Sequence, residues 1–414
     1  MTALFLKECR QVLRSLVYYI YLVIFVLFIT SQIGDMESVG SLSEPQPGQD
    51  FYGSGHSTDP HDIMEGAIES LFEETYRNHF DTYPFGFIKV VTLDETELAQ
   101  MKAEVEQACG RNFDVLCRLY TDYWQSAGEA STYDEYLERQ LDWHLPLRAD
   151  YTYEEFEAQM GRVTKVIGRG CTYDGNYRSE AIKELTYEDA KQEYQDLCEK
   201  DRITRAGMRL FCDYGGILLA ILPVFVGVSV CLRDRRAKAA EVICAKRISG
   251  AALIVTRYAA SVILMFVPVA VCAFLMQMPC SYKAAEIGVT PDQTAFLTYS
   301  VVWLLPLILL ATAVAFVLTE LTDSILAILV QAVWAYGSLI MARTLTGDFG
   351  FKLIPRWNEF GGYDRFSQEL PQLLLNRVCY TVLSVALVIL AICIYEKKRK
   401  RGVTTRGKIR KTHD

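Results

Sequence analysis

Charge is what much of this chain lacks. Across its 414 residues, six stretches carry almost none: 16–33, 210–232, 253–276, 296–318, 325–342 and 378–395. A helix needs about 20 residues to cross a bilayer, so each stretch is close to that length or beyond it. A Lys, Arg or Asp at the centre of such a helix costs roughly 2.5–3.5 kcal/mol, so an apolar solvent imposes this depletion. The pattern argues against a large soluble domain, where uncharged apolar runs of about 18 residues are rare.

Catalytic signatures are missing as well. The chain has no His-Glu-x-x-His helix, no Gly-x-Ser-x-Gly elbow and no spaced nucleophile–base pair. Gly402-Val403-Thr404-Thr405-Arg406-Gly407-Lys408-Ile409 approaches a phosphate-binding loop. It ends without the Ser/Thr that holds magnesium, and no strand precedes it. The chain is therefore not expected to bind ATP by that route or to be an enzyme by itself. No internal repeat is visible. No polar residue mid-run clearly marks a substrate path; Gln331 is the nearest candidate, with a bond to a neighbouring helix as the alternative.

What charge there is falls at the ends of the runs. Lys7, Arg10 and Arg14 precede the first, Arg233–Arg236 follow the second, and Lys397–Arg401 follow the last. The positive-inside rule then predicts an all-α polytopic membrane protein with six spans and both termini cytoplasmic. Residues 1–15 read as an amphipathic segment along the inner surface, and 396–414 as a basic cytoplasmic tail that also attracts anionic lipid. Phe28-Ile29-Thr30-Ser31-Gln32 is a poor cleavage site, so the first run is expected to remain as a span.

Residues 34–209 are a different material, expected outside the membrane as a mainly helical domain. They hold 36 acidic against 17 basic side chains and supply the acidity behind the net charge of −8. Thr92/Glu95, Thr132/Glu135 and Thr152/Glu155 have capping-box spacing, and Thr186/Asp189 is a weaker version. The extended run 87–92 leaves an α+β variant open, and 187–209 reads as a helix leading into the second span. His56 and His61, with Asp59 and Asp62, form a weak metal candidate, because imidazole and carboxylate are ordinary zinc ligands. Cys109, Cys117, Cys171 and Cys198 are an even set, which permits disulfides with three pairings in an oxidising compartment.

Between the second and third runs lies a charged elbow, 233–252. It opens on Arg233, Asp234, Arg235 and Arg236 and continues through Glu241, Val242 and Ile243 to Arg247 and a Ser249-Gly250 breaker. Glu241-Val242-Ile243 through Ile248-Ser249, followed by Arg257-Tyr258, resembles the cytoplasmic segment of ABC-2-type permeases, the membrane subunits of bacterial ABC exporters. Lys238-Ala239 stands where that pattern usually has Gly-Thr. Two further stretches are similar to bacterial members with a large outer insertion: 186–214, around Asp201-Arg202, Arg209 and Asp213, and 354–380, around Pro355-Arg356-Trp357 and Asn376-Arg377.

The resemblance implies a plasma-membrane permease that moves a substrate outward. It also implies a separate P-loop ATPase partner carrying Mg-ATP, and pairing with a second permease or a second copy. The chain is expected to bind no cofactor of its own and no nucleic acid. Asp234, Arg236, Glu241, Val242, Ile243 and Arg247 would contact the ATPase. Two rival readings remain: ATP-driven force transmission to an envelope partner through the outer domain, and a membrane receptor that needs no ATPase.

Overall fold

The structure is a computed structural model that describes residues 2–33, 37–40, 42–57, 59–84, 88–128, 130, 133–175, 181–238, 248–340, 346–347 and 349–411. It is mostly helical and divides into two compact units, residues 43–194 and residues 1–42 with 195–414.

The second of these, the helical unit, contains the apolar runs. Four helices are long and apolar enough to cross a membrane: α2 (Leu16–Ile33), α11 (Gly250–Glu286), α12 (Ala295–Thr322) and the Tyr363–Lys400 part of α14 (Tyr363–Lys411). The run at 210–232 is broken into α9 (Thr204–Leu219) and α10 (Leu222–Arg236), bent by 42° and equivalent to a fifth span if taken together. The run at 325–342 gives α13 (Leu326–Ile340), whose 15 residues are short of a full crossing. Each of the six expected runs is thus helical, while four or five meet the length of a span. Within α12, 72% of the apolar window is buried, against 22–33% in the other three long helices, so α12 is the central helix.

The bend between α9 and α10 has an identifiable cause. Pro223 has no N–H to continue the helical ladder and its ring crowds the preceding turn. The Val224 N–H turns to the Ile221 carbonyl at 3.2 Å, and the Ala220 carbonyl accepts instead from Gln331 Nε2 of α13 at 2.6 Å. Gln331 is fully buried, and its side-chain nitrogen makes this helix-to-helix bond. Pro306 has a different accommodation: residues Ser300–Leu304 just before it wind as a π-helix. Pro268 and Pro279 lie within the continuous α11. Past the bend, a Cβ built on Gly227 would stand 2.6 Å from the Ala315 Cβ, so glycine is what allows α10 to lie directly against α12.

Residues at both ends of the expected 34–209 domain join the helical unit. Val39, Leu197, Ile203 and Ala206 pack with Cys280 and Ala284 of α11. The helix expected over 187–209 is interrupted. α8 (Tyr187–Glu199) stops where Arg202 and Ile203 take positive φ values of 50° and 60°, and α9 starts at Thr204. The segment before α14 also folds into the unit. Phe349, Leu353, Ile354 and Trp357 are buried, and Phe349 and Trp357 pack with Phe366 while Phe349 and Phe366 meet Trp303 of α12.

The unit at 43–194 has its own core. Its helices are α3 (Pro60–Arg77), α4 (Glu95–Cys109), α5 (Phe113–Ala127), α6 (Tyr133–Asp142) and α7 (Tyr153–Ile167). Antiparallel ribbons join Ser54–His56 to Ile182–Glu184 and Phe80–Thr82 to Lys89–Val91. Ile68, Leu71 and Phe72 of α3 meet Met101 and Val105 of α4 and Phe156 and Met160 of α7. Capping explains the helix starts. The box expected at Thr92/Glu95 is instead made by Asp94 and Glu97, two residues on, because Asp94 accepts the Thr96 and Glu97 amides. Thr152 caps Glu155 as expected, Thr186 and Asp189 exchange both bonds, and Thr132 lies outside the described residues.

Candidate functional site

Two charged sites stand out, one in each unit. The first anchors the elbow. Lys238 ends α10 in the left-handed conformation, with φ of 53°, and α11 restarts at Ser249, whose hydroxyl caps the Ala252 amide at 3.1 Å. Glu241, Val242, Ile243 and Arg247 fall in 239–247, outside the described residues. The two flanks are fully described, and both are fastened.

On the α10 flank, Asp234 pairs with Arg257 of α11, and Arg257 also lies 3.5 Å from Glu8 of α1 (Thr2–Val12). Glu8 bonds Arg233 at 2.7 Å. Arg235 reaches Glu320 of α12 at 3.1 Å and pairs with Asp323, which in turn holds Lys398 of α14 at 2.6 Å. On the α11 flank, the Gly250 amide donates to Glu396 at 2.6 Å and Arg399 donates to the Ile248 carbonyl at 2.6 Å. Glu8, Arg257 and Glu320 are almost wholly buried. Buried charges of this kind are tolerated only when paired. Asp234 therefore holds the bundle together, while Arg236 is exposed. Glu8 and Glu320 were not legible as site residues, because nothing local marks an acid in a basic amphipathic segment, or one at the end of an apolar helix, as the partner of an arginine far along the chain.

The second site is a cavity of ≈550 Å³ within 43–194. Its carboxylates are Asp62, Glu65, Glu69, Glu73, Glu74, Asp81, Asp142 and Glu184, against the cations of Arg77 and Lys183. Such a surplus focuses a negative potential inside a concave wall. Glu65 and Glu69 are one turn apart on α3, so both face the cavity. Burial, reinforced by the neighbouring charges of Glu65 and Glu73, pushes the Glu69 carboxyl up to about 8, even though the Leu145 amide donates to it at 2.7 Å. His144, from the segment after α6, brings Nδ1 to 3.3 Å from Glu65.

The metal candidates expected near 56–62 are only partly drawn together. Asp59 is the N-cap of α3, bonded to the His61 amide at 2.7 Å, and Asp62 accepts the Ser57 hydroxyl at 2.5 Å. His61 is exposed, with Nδ1 3.9 Å from Glu65, and the His56 side chain lies outside the described residues. Glu65, Glu69 and His144 were missed. The four-residue repeat of acids on α3 was visible, but the histidine that completes it comes from a distant segment. Cys109, Cys117 and Cys171 are free thiols, and burial pushes Cys109 up to about 12, the state of an inert packing residue.

The helices thus define the class: a mostly helical protein whose long apolar helices are those of a multi-pass membrane protein. No family model, curated protein or solved structure matches the chain.

Proposed function

We propose that this chain is the six-span permease subunit of an ABC-type exporter in a bacterial plasma membrane, with both termini and the elbow in the cytoplasm. A separate P-loop ATPase grips the elbow and, powered by Mg-ATP, moves the helices so that a substrate passes outward. Two permease subunits, alike or different, make the pathway.

One observation carries this reading: both flanks of the elbow are tied by buried charge pairs and hydrogen bonds to α1, α12 and α14. A displacement delivered to these flanks would reach the central helix through Arg235 and Glu320, the kind of tie a rigid-body switch uses. The resemblance of Glu241-Val242-Ile243 to a coupling segment supports the same direction of force. The test is co-purification of the full chain in mild detergent, scored for an attached P-loop ATPase. Glu241→Lys is expected to release the ATPase and stop transport while the chain still inserts. A Glu241→Lys protein that transports normally and keeps its ATPase sinks the assignment.

A second reading has its own observation. The unit at 43–194 has a separate core, a large addition for a protein that only moves a solute. In this reading ATP hydrolysis reshapes that unit to act on an envelope partner, with no transport. Deleting 43–194 separates the two, since an exporter retains efflux and a force transmitter loses all activity.

A further inference from the structure

We propose that the 43–194 unit carries a binding site for one first-row divalent cation of the zinc class, held by Glu65, Glu69 and His144. The inference is independent of how the helical unit works.

The donor set is mixed, two carboxylates and an imidazole, which suits a borderline metal better than calcium or magnesium. The three donor atoms lie within 4.8 Å of one another. With bonds of about 2.0–2.2 Å, two donors on one tetrahedral ion stand about 3.3–3.6 Å apart. His144 Nδ1 and Glu65 Oε1 are already 3.3 Å apart. Two separate elements supply the donors, a helix face and a connecting segment, as in a site assembled by folding.

The surroundings fit a cation as well. One oxygen of Glu69 is fixed by the amide of Leu145, the residue after His144, so the same segment that brings the imidazole also orients the carboxylate. The cavity supplies room for further ligands and a negative field. Trp143 lines the same cavity with only 8% of its surface exposed, so the residue before His144 is packed in place and anchors the segment that carries the imidazole. His61 and Asp62 form an overlapping trio through Glu65, but with a wider spacing of 3.9 Å.

The test is a titration of the full chain, purified in detergent and stripped with a chelator, using Co²⁺ as a visible probe and Zn²⁺ as competitor. Wild type is expected to bind one Co²⁺ per chain, with the visible bands of a four- or five-coordinate ion and no thiolate charge-transfer band. Zn²⁺ then displaces it. Glu65→Gln and His144→Ala are each expected to weaken binding by more than about tenfold, the scale on which lost support of a metal is felt. Lys183→Ala, which removes a cation from the cavity wall, should leave binding in place. The His144 side chain is 65% exposed, so its loss leaves the fold intact, and circular dichroism of each variant checks this. Three results overturn the proposal: no stoichiometric binding by wild type; a thiolate band as the only signal; or binding that survives His144→Ala and is lost in His61→Ala.

Discussion

In the helical unit, Arg209 and Asp201 meet with neither side chain exposed, and Asp213 is bracketed by Arg356 and the Trp357 amide. In the 43–194 unit, Glu65 and Glu69 have no arginine or lysine within ion-pair reach among the described residues. At these places the helical unit buries charge in matched pairs, whereas the 43–194 unit gathers charge of one sign around its hollow. A matched pair is complete and serves cohesion. A like-signed group remains costly until something of opposite sign arrives.

The largest effect that separates the two is expected at Arg209. Arg209→Ala leaves Asp201 buried and alone, at a cost of about 3–5 kcal/mol, while a paired apolar replacement, Arg209→Met with Asp201→Leu, recovers most of it. Thermal unfolding of the full chain in detergent measures both, and an unchanged midpoint for Arg209→Ala would remove the case for cohesion. Next is Gly227→Val, which forces α10 away from α12 at Ala315 and is expected to cost about 1–3 kcal/mol by overpacking. A silent Gly227→Val would mean that the close approach of these helices does not matter.

A pH prediction comes third. The Glu69 carboxyl is raised to about 8 in the folded unit, from its ordinary value of 4.5. The folded state thus holds its proton more tightly than the unfolded state does, and the associated stability is full below pH 4.5 and lost as pH rises through about 8. Glu69→Gln should flatten that decline in metal-free protein, followed as unfolding midpoint against pH; an equal slope in both proteins contradicts the burial argument. The smallest effect is expected at Arg365, whose pair with Glu359 is about half exposed. Arg365→Ala should change stability by about 0–1 kcal/mol, the usual range for surface pairs. A loss as large as at Arg209 would erase the distinction between buried and exposed pairing.

The helical frame was legible because hydropathy acts locally: each of the six uncharged runs became a helix. Their lengths were less legible. The bend at Pro223 depends on a carbonyl finding Gln331 on another helix, and the stop at Arg202–Ile203 depends on two left-handed residues that nothing in the composition announces. The cap of α4 moved from Thr92 to Asp94 because both residues have a suitable partner three positions on, and spacing does not rank them. Asp234 was legible as important but not in its role, since its partner Arg257 lies across the elbow. The cavity was least legible: its acids repeat visibly on one helix, but His144 joins them only through tertiary folding.

The bond from Gln331 to the Ala220 carbonyl carries one more implication. The angle between α9 and α10 is not stored in those helices alone, because the group that satisfies the open carbonyl comes from a third helix. Sliding α13 along its axis would strip that carbonyl of its donor in a medium with no water to replace it. Straightening the crossing and shifting its neighbour are therefore one motion, and neither can be completed while the other stays still.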